Sequence, residues 1–197
     1  MTPETRRARR AEIAEAAFAV LTETGQGGLS MLAVARRARA SNETLYRWYG
    51  DKTGLLRALI VHRASEVAAE VDAVLIGGGA AETVLEGVGT LLLEAWTEAR
   101  WLALCRAAAA DDTGALGQAA DAAWRDLIVP RVVQLFVRLR AAGRLRGAPE
   151  AAAALWLDLL TGNWALRAVL GARLAPDRRA RVARLARAAE VVLGRAA

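Results

Sequence analysis

Apolar residues recur along this chain at spacings of three and four, and no stretch alternates strictly, so each predicted element is a helix. The first should run from about Arg7 to Thr24. Ile13, Ala17, Val20 and Leu21 share one face with Phe18 beside them, while Glu12, Glu15 and Glu23 lie elsewhere. Gly25, Gly27 and Gly28 stop it. Ser30 is placed to cap a short helix over residues 31–38, with Val34, Ala35 and Ala38 facing inward. Ser41 can cap a second short helix through Tyr49, and Asp51 can cap a long one from about Lys52 to Leu75.

Gly77, Gly78 and Gly79 then break the pattern and mark a boundary. Beyond them the spacing predicts helices at about 81–97, 98–110, 115–142, 150–170 and 177–194. Pro130 falls inside the third of these and should kink or restart it, because proline has no amide to donate and its ring crowds the preceding turn. The fold class is all-α, with no repeat of fixed period.

Composition adds a partner. The formal charge is +6, concentrated in residues 1–63, where eleven Arg and Lys oppose six Asp and Glu. Residues 64–197 are nearly balanced, at sixteen against fifteen. A basic amino-terminal third on a neutral body suggests a polyanion at that end, although arginines also serve simply as a solvated surface. Cys105 is the only cysteine, which excludes an intrachain disulfide. The early arginines are followed by interleaved acids rather than by an unbroken apolar run, so no secretory signal is read. No run approaches the roughly 18 apolar residues that a membrane span needs. A cytoplasmic protein without membrane contact is expected.

The chemistry concentrates in residues 41–52. On the helix from Asn42 to Tyr49, Leu45 and Tyr49 point inward, while Asn42, Glu43, Tyr46 and Arg47 make one continuous outer face. Asn can bond adenine through two atoms, Glu can accept from the cytosine amino group, and Arg can fork onto guanine. The hydroxyls of Thr44 and Tyr46 suit phosphate oxygens. Lys52, where the next helix opens, joins its ammonium to free backbone amides as a phosphate seat.

With its short helix, turn and second helix, this stretch resembles the helix-turn-helix of TetR-type transcriptional regulators. The resemblance rests on Ser30, then Ser41, Thr44, Leu45, Tyr46, Trp48, Tyr49 and Lys52 in register, and it covers roughly residues 10–60. It implies a DNA-binding domain over residues 1–52 and a helical effector-binding and dimerisation domain over 53–197. Thr44, Tyr46 and Lys52 would clamp phosphates of double-stranded DNA, and Asn42, Glu43 and Arg47 would approach base edges. Ser30, Ser41 and Trp48 complete the expected interface. The chain departs from the family pattern twice. Arg39 stands where a turn glycine is usual, so it either pays about 1–2 kcal/mol for a left-handed backbone or adds a phosphate contact. Leu32 occupies a position that is often polar.

The remaining half carries Trp96, Trp101, Trp124, Trp156 and Trp164. Trp is larger than most helical cores require, so these residues, with Cys105 and Asp158, are the candidates for an effector pocket; ordinary packing is the alternative for each. Asp158 can line a pocket, pair with an arginine across a subunit seam, or face water, and Asn163 and Arg167 are equally open. Val182, Leu185, Ala189 and Val192 recur at helical spacing, with Leu159, Gly162 and Leu166 before them. By resemblance these form the seam of a homodimer whose reading helices stand about one DNA turn, roughly 34 Å, apart; the alternative is that they cap their own domain's core. An effector of unspecified identity would then release a palindromic operator.

An enzyme is not indicated. His62 is the lone histidine and Cys105 lies far from it in sequence, so neither a metal cluster nor a nucleophile–base pair is visible, and no cofactor is expected. Asp111 and Asp112 suit a helix break better than a metal. Two other classes stay open. One is a small-molecule-binding protein whose reading head is silent; the other is a peripheral membrane protein using the arginine-rich start.

Overall fold

Side-chain caps decide where the first helices begin. Thr2 accepts from the amide of Thr5, Ser30 from Ala33, Ser41 from Thr44 and Asp51 from Gly54, each satisfying one of the orphan donors of a first turn. In the computed structural model, which describes residues 2–171 and 177–194, these caps open α1 (Pro3–Gly28), α2 (Met31–Arg37), α3 (Asn42–Tyr49) and α4 (Lys52–Gly77). There follow α5 (Ala81–Thr97), α6 (Ala99–Ala109), α7 (Ala115–Ala123), a π turn (Trp124–Ile128), α8 (Val129–Ala141), α9 (Pro149–Thr161), α10 (Trp164–Val169) and α11 (Arg178–Leu193). The described residues contain no strand, and none of their helices is long and apolar enough to cross a membrane.

Three expected spans differ from the observed ones. The first helix starts earlier, because Thr2 and Pro3 form a good cap and first position. It also resumes for a turn beyond Gly25, whose φ of 68° and ψ of −176° mark the expected break. The segment expected at 115–142 is divided by the π turn: Val129 donates to the carbonyl of Trp124, five residues back, just before Pro130. The helix expected at 150–170 is cut by Gly162 at φ 46°.

The chain forms two compact units. The first contains residues up to Arg63 with Ala99–Asp121. Its core joins Ile13, Ala17, Phe18 and Leu21 of α1 to Val34 of α2, Leu45 of α3 and Leu55, Leu56 and Leu59 of α4, all almost wholly buried. Each of these side chains larger than alanine contributes about 1.5–3 kcal/mol relative to exposure. Arg100 of α6 forks onto Glu15 of α1 at 2.7 and 2.6 Å and lies 5.2 Å over the Phe18 ring.

The second unit contains Ala64–Glu98 and the residues from Ala122 onward. Val88 and Leu92 of α5, Val132, Leu135 and Phe136 of α8, and Ala153, Trp156 and Leu160 of α9 fill its centre. Gly89 lets α5 come close. A Cβ there would stand 2.3 Å from Leu185 Cδ2 and 3.0 Å from Trp156 Cζ2. Arg131 forks onto Asp72 at 2.9 and 2.8 Å, and Arg138 donates to the Leu75 carbonyl near the end of α4.

Candidate nucleic-acid interface

The α2–turn–α3 segment is fixed from both sides. Beneath it, Leu45 is fully buried, and Met31, Val34 and Ala35 anchor α2 in the same core. At its ends the caps take over: the Ser41 hydroxyl accepts from the Thr44 amide at 3.0 Å and also meets the Thr44 hydroxyl at 2.7 Å. Arg37 ties α2 to α1 through a two-pronged pair with Glu23 at 2.6 and 2.8 Å. What remains outward on α3 is the expected ridge. Asn42, Glu43, Tyr46 and Arg47 are all exposed, Tyr46 at 51%. Leu32 is also exposed, at 48%, so an apolar side chain accompanies the polar ridge.

The remaining candidates divide by role. Ser30 caps α2, and its hydroxyl is committed to the Ala33 amide. Trp48 is half-buried, under the Arg10 guanidinium at 5.7 Å and edge-on to Tyr49. Burial pushes the Tyr49 hydroxyl above its usual range, and Arg10 partly opposes that. Lys52 reaches back to α1, its Nζ donating to the Gln26 carbonyl at 2.5 Å, where a cation favours the negative end of the helix. One amide of α4's first turn is already taken by Asp51. Arg39 adopts φ 49°, the one left-handed residue other than glycine among those described.

Two participants carried no signal at the level of motif. Arg9 of α1 donates through Nη2 to the carbonyls of both Ala38 and Arg39, at 3.0 and 2.9 Å. Nearly thirty positions separate these groups, beyond the reach of any local pattern. Gly54 permits α4 to start hard against α3: a Cβ there would meet the Tyr49 carbonyl oxygen at 1.9 Å. A glycine in the first turn of a long helix, against propensity, was the available clue.

The expected effector residues belong to both units. Trp101 and Cys105, both partly exposed, lie on α6 in the first unit. Burial pushes the Cys105 thiol up to about 11, with Arg106 opposing. In the second unit Trp96 and Trp124 pair at 5.0 Å, the latter opening the π turn. Trp156 packs edge-on against Phe136 at 5.7 Å, and its buried indole N–H has no partner. Trp164 lies under the Arg184 guanidinium at 4.0 Å, and Asp158 is exposed. Asp111 caps α7, accepting from the Thr113 hydroxyl and the Leu116 amide; these bonds, led by the one from Thr113, hold its carboxyl below the usual range.

Of the expected seam, Leu166 and Val182 are exposed, at 62% and 47%, and Leu159, Ala189 and Val192 are partly so. Leu185 is buried in its own unit near Gly89. Gly162 ends α9 and makes room for Arg184, whose Nη1 donates to the Leu160 carbonyl at 2.9 Å.

Comparison with known proteins fits this arrangement. Residues 13–59 match the family model described as bacterial regulatory proteins, tetR family, and residues 83–195 match the AefR-like transcriptional repressor C-terminal domain. The HTH-type transcriptional regulator BetI of Paraburkholderia xenovorans (strain LB400) is 37% identical over 57 residues, 29% of each chain. The HTH-type transcriptional repressor KstR of Mycolicibacterium smegmatis is 33% identical over 76 residues, 39% of this chain and 37% of that one. These alignments thus span well under half of either relative. Over the whole fold, the crystal structure of a TetR-family regulator from Mesorhizobium loti MAFF303099 matches with a TM-score of 0.83 at 24% identity, covering 98% of both chains. Its two matched domains make the chain a member of the TetR family of transcriptional regulators.

Proposed function

We propose that the chain is an effector-responsive repressor that binds a palindromic operator as a homodimer and is released by a small, largely apolar molecule. The observation that carries this reading is the outer ridge of α3. Four side chains able to read or grip DNA stand exposed on a helix whose opposite side is anchored by a fully buried leucine. Asn42, Glu43 and Arg47 would inspect base edges, while Thr44, Tyr46 and Lys52 would hold phosphates. The Lys52 ammonium has three donors, so its bond to Gln26 leaves capacity for a phosphate.

The dimer is supported by Leu155, Leu166, Leu170, Val182 and Val191, all 45% exposed or more between α9 and α11, an apolar surface that a second copy would cover. A repressing sign agrees with the repressor domain matched by residues 83–195. For the effector, the Trp96–Trp124 pair is the favoured contact: it flanks a π turn, a backbone irregularity common at functional sites. Release would be a shift between two arrangements of the dimer, limited by the effector's difference in affinity for them.

Selection of bound duplexes from a random pool, followed by a screen for compounds that release them, tests the whole reading. An imperfect palindrome is expected. A chain that enriches no sequence at moderate ionic strength, yet binds small molecules, would instead be a sensor with a silent reading head.

A further inference from the structure

Arg39 holds a backbone conformation that costs a non-glycine residue free energy, and it does so in the turn that aims α3. Something must over-determine that turn. Within it, the Arg39 amide makes a long bond to the Arg36 carbonyl at 3.3 Å and the Ala40 amide a better one to Ala35 at 2.9 Å. The outward carbonyls of Ala38 and Arg39 are taken by a single guanidinium nitrogen, Arg9 Nη2. One donor shared by two successive carbonyls ties both ends of that peptide to α1. The guanidinium is itself oriented, because its Nη1 pairs with Glu12 on the same helix.

We infer that Arg9 is a positioning residue for DNA reading: it clamps the Ala38–Arg39 carbonyls, stabilises the left-handed turn that lacks glycine, and so sets the direction of α3 from α1. The inference rests on the proposed DNA-binding role of α3. It also explains how an arginine is tolerated at position 39, where its exposed side chain adds positive charge beside the reading helix.

A double-mutant cycle between Arg9→Ala and Arg39→Gly tests it, because glycine adopts the turn conformation without a clamp. The probe is a duplex selected by the wild-type chain, and circular dichroism checks that each variant is folded. Arg9→Ala alone should weaken binding about tenfold. In the Arg39→Gly background the same substitution should cost less than about threefold. Arg9→Lys, which keeps the charge but lacks the fork, should resemble Arg9→Ala. The slope of affinity against salt should not change on removing Arg9, whereas loss of a direct phosphate contact would lower it by about one unit.

Amide exchange at Ala40 reads the turn without DNA. It should speed up about tenfold in Arg9→Ala and return close to the wild-type rate in the double variant. Equal losses in both backgrounds, or a reduced salt slope, would make Arg9 an independent contact and overturn the inference. Unchanged exchange at Ala40 in Arg9→Ala would also overturn it. If the wild-type chain selects no duplex, the DNA reading fails, and the exchange measurement still decides the clamp.

Discussion

The helix-turn-helix and the second unit use their conspicuous side chains in opposite ways. In the first, the buried groups are Met31, Val34, Ala35 and Leu45, and Asn42, Glu43, Tyr46 and Arg47 are turned out to water. In the second, the distinctive residues are tryptophans, and each is engaged by a neighbouring side chain. Trp156 is 1% exposed against Phe136, Trp96 is paired with Trp124, and Trp164 is covered by Arg184. An unusual residue on an exposed ridge has few structural duties and is informative about function. An unusual residue in a core is first of all volume.

That contrast should appear as a separation of stability from binding. The largest effect is expected in the body, where Trp156→Ala should cost about 4 kcal/mol in chemical denaturation. Trp156→Phe should cost far less, within about 1.5 kcal/mol, because it also removes a buried N–H that has no acceptor. A Trp156→Phe loss well above that figure would mean that the indole nitrogen finds a partner in solution.

Gly54→Ala comes next, at about 3 kcal/mol, since its methyl would overlap the Tyr49 carbonyl. Operator binding should fall with it, measured at a temperature where the variant is still folded. On the α3 ridge the pattern should reverse. Asn42→Ala and Arg47→Ala should leave the denaturation midpoint nearly unchanged and relax preference at particular base pairs, by about 1–3 kcal/mol each in competition binding. Lys52→Ala should blur the contrast: about 1 kcal/mol of stability lost with its bond to Gln26, and weaker binding to every sequence with a salt slope smaller by about one.

The smallest effect concerns Cys105. Its thiol is held protonated up to about 11, so the folded state retains a proton that the unfolded chain releases near pH 9. The associated stability is present below that pH and is lost as pH rises through about 11. Alkylation at pH 8 should accordingly be slow in the native chain and become fast in denaturant.

The all-helical class, the caps at Ser30, Ser41 and Asp51 and the ridge on α3 were legible because each depends on residues a few positions apart. The break at Pro130 was legible for the same reason, although its form as a π turn was not. What escaped prediction is set by pairs distant in sequence. Lys52 meets Gln26, Arg9 meets Arg39, Arg184 stacks on Trp164, and Gly89 admits Leu185. Periodicity identifies which face of a helix is apolar, but not which neighbour will cover it. Leu185 shows this well: its spacing placed it on an apolar stripe, and that stripe is shared between the unit's own interior and the outside.

The widened turn before Pro130 has a further consequence. Each residue added to a regular helix rotates all that follow by about 100°. Here one extra residue is absorbed as a bulge between Trp124 and Ile128, and Val132, Leu135, Phe136 and Leu139 still face the interior. Shortening the chain by a single residue at this bulge should therefore leave α8 oriented as it is, whereas the same deletion a few positions later would turn its apolar stripe toward water.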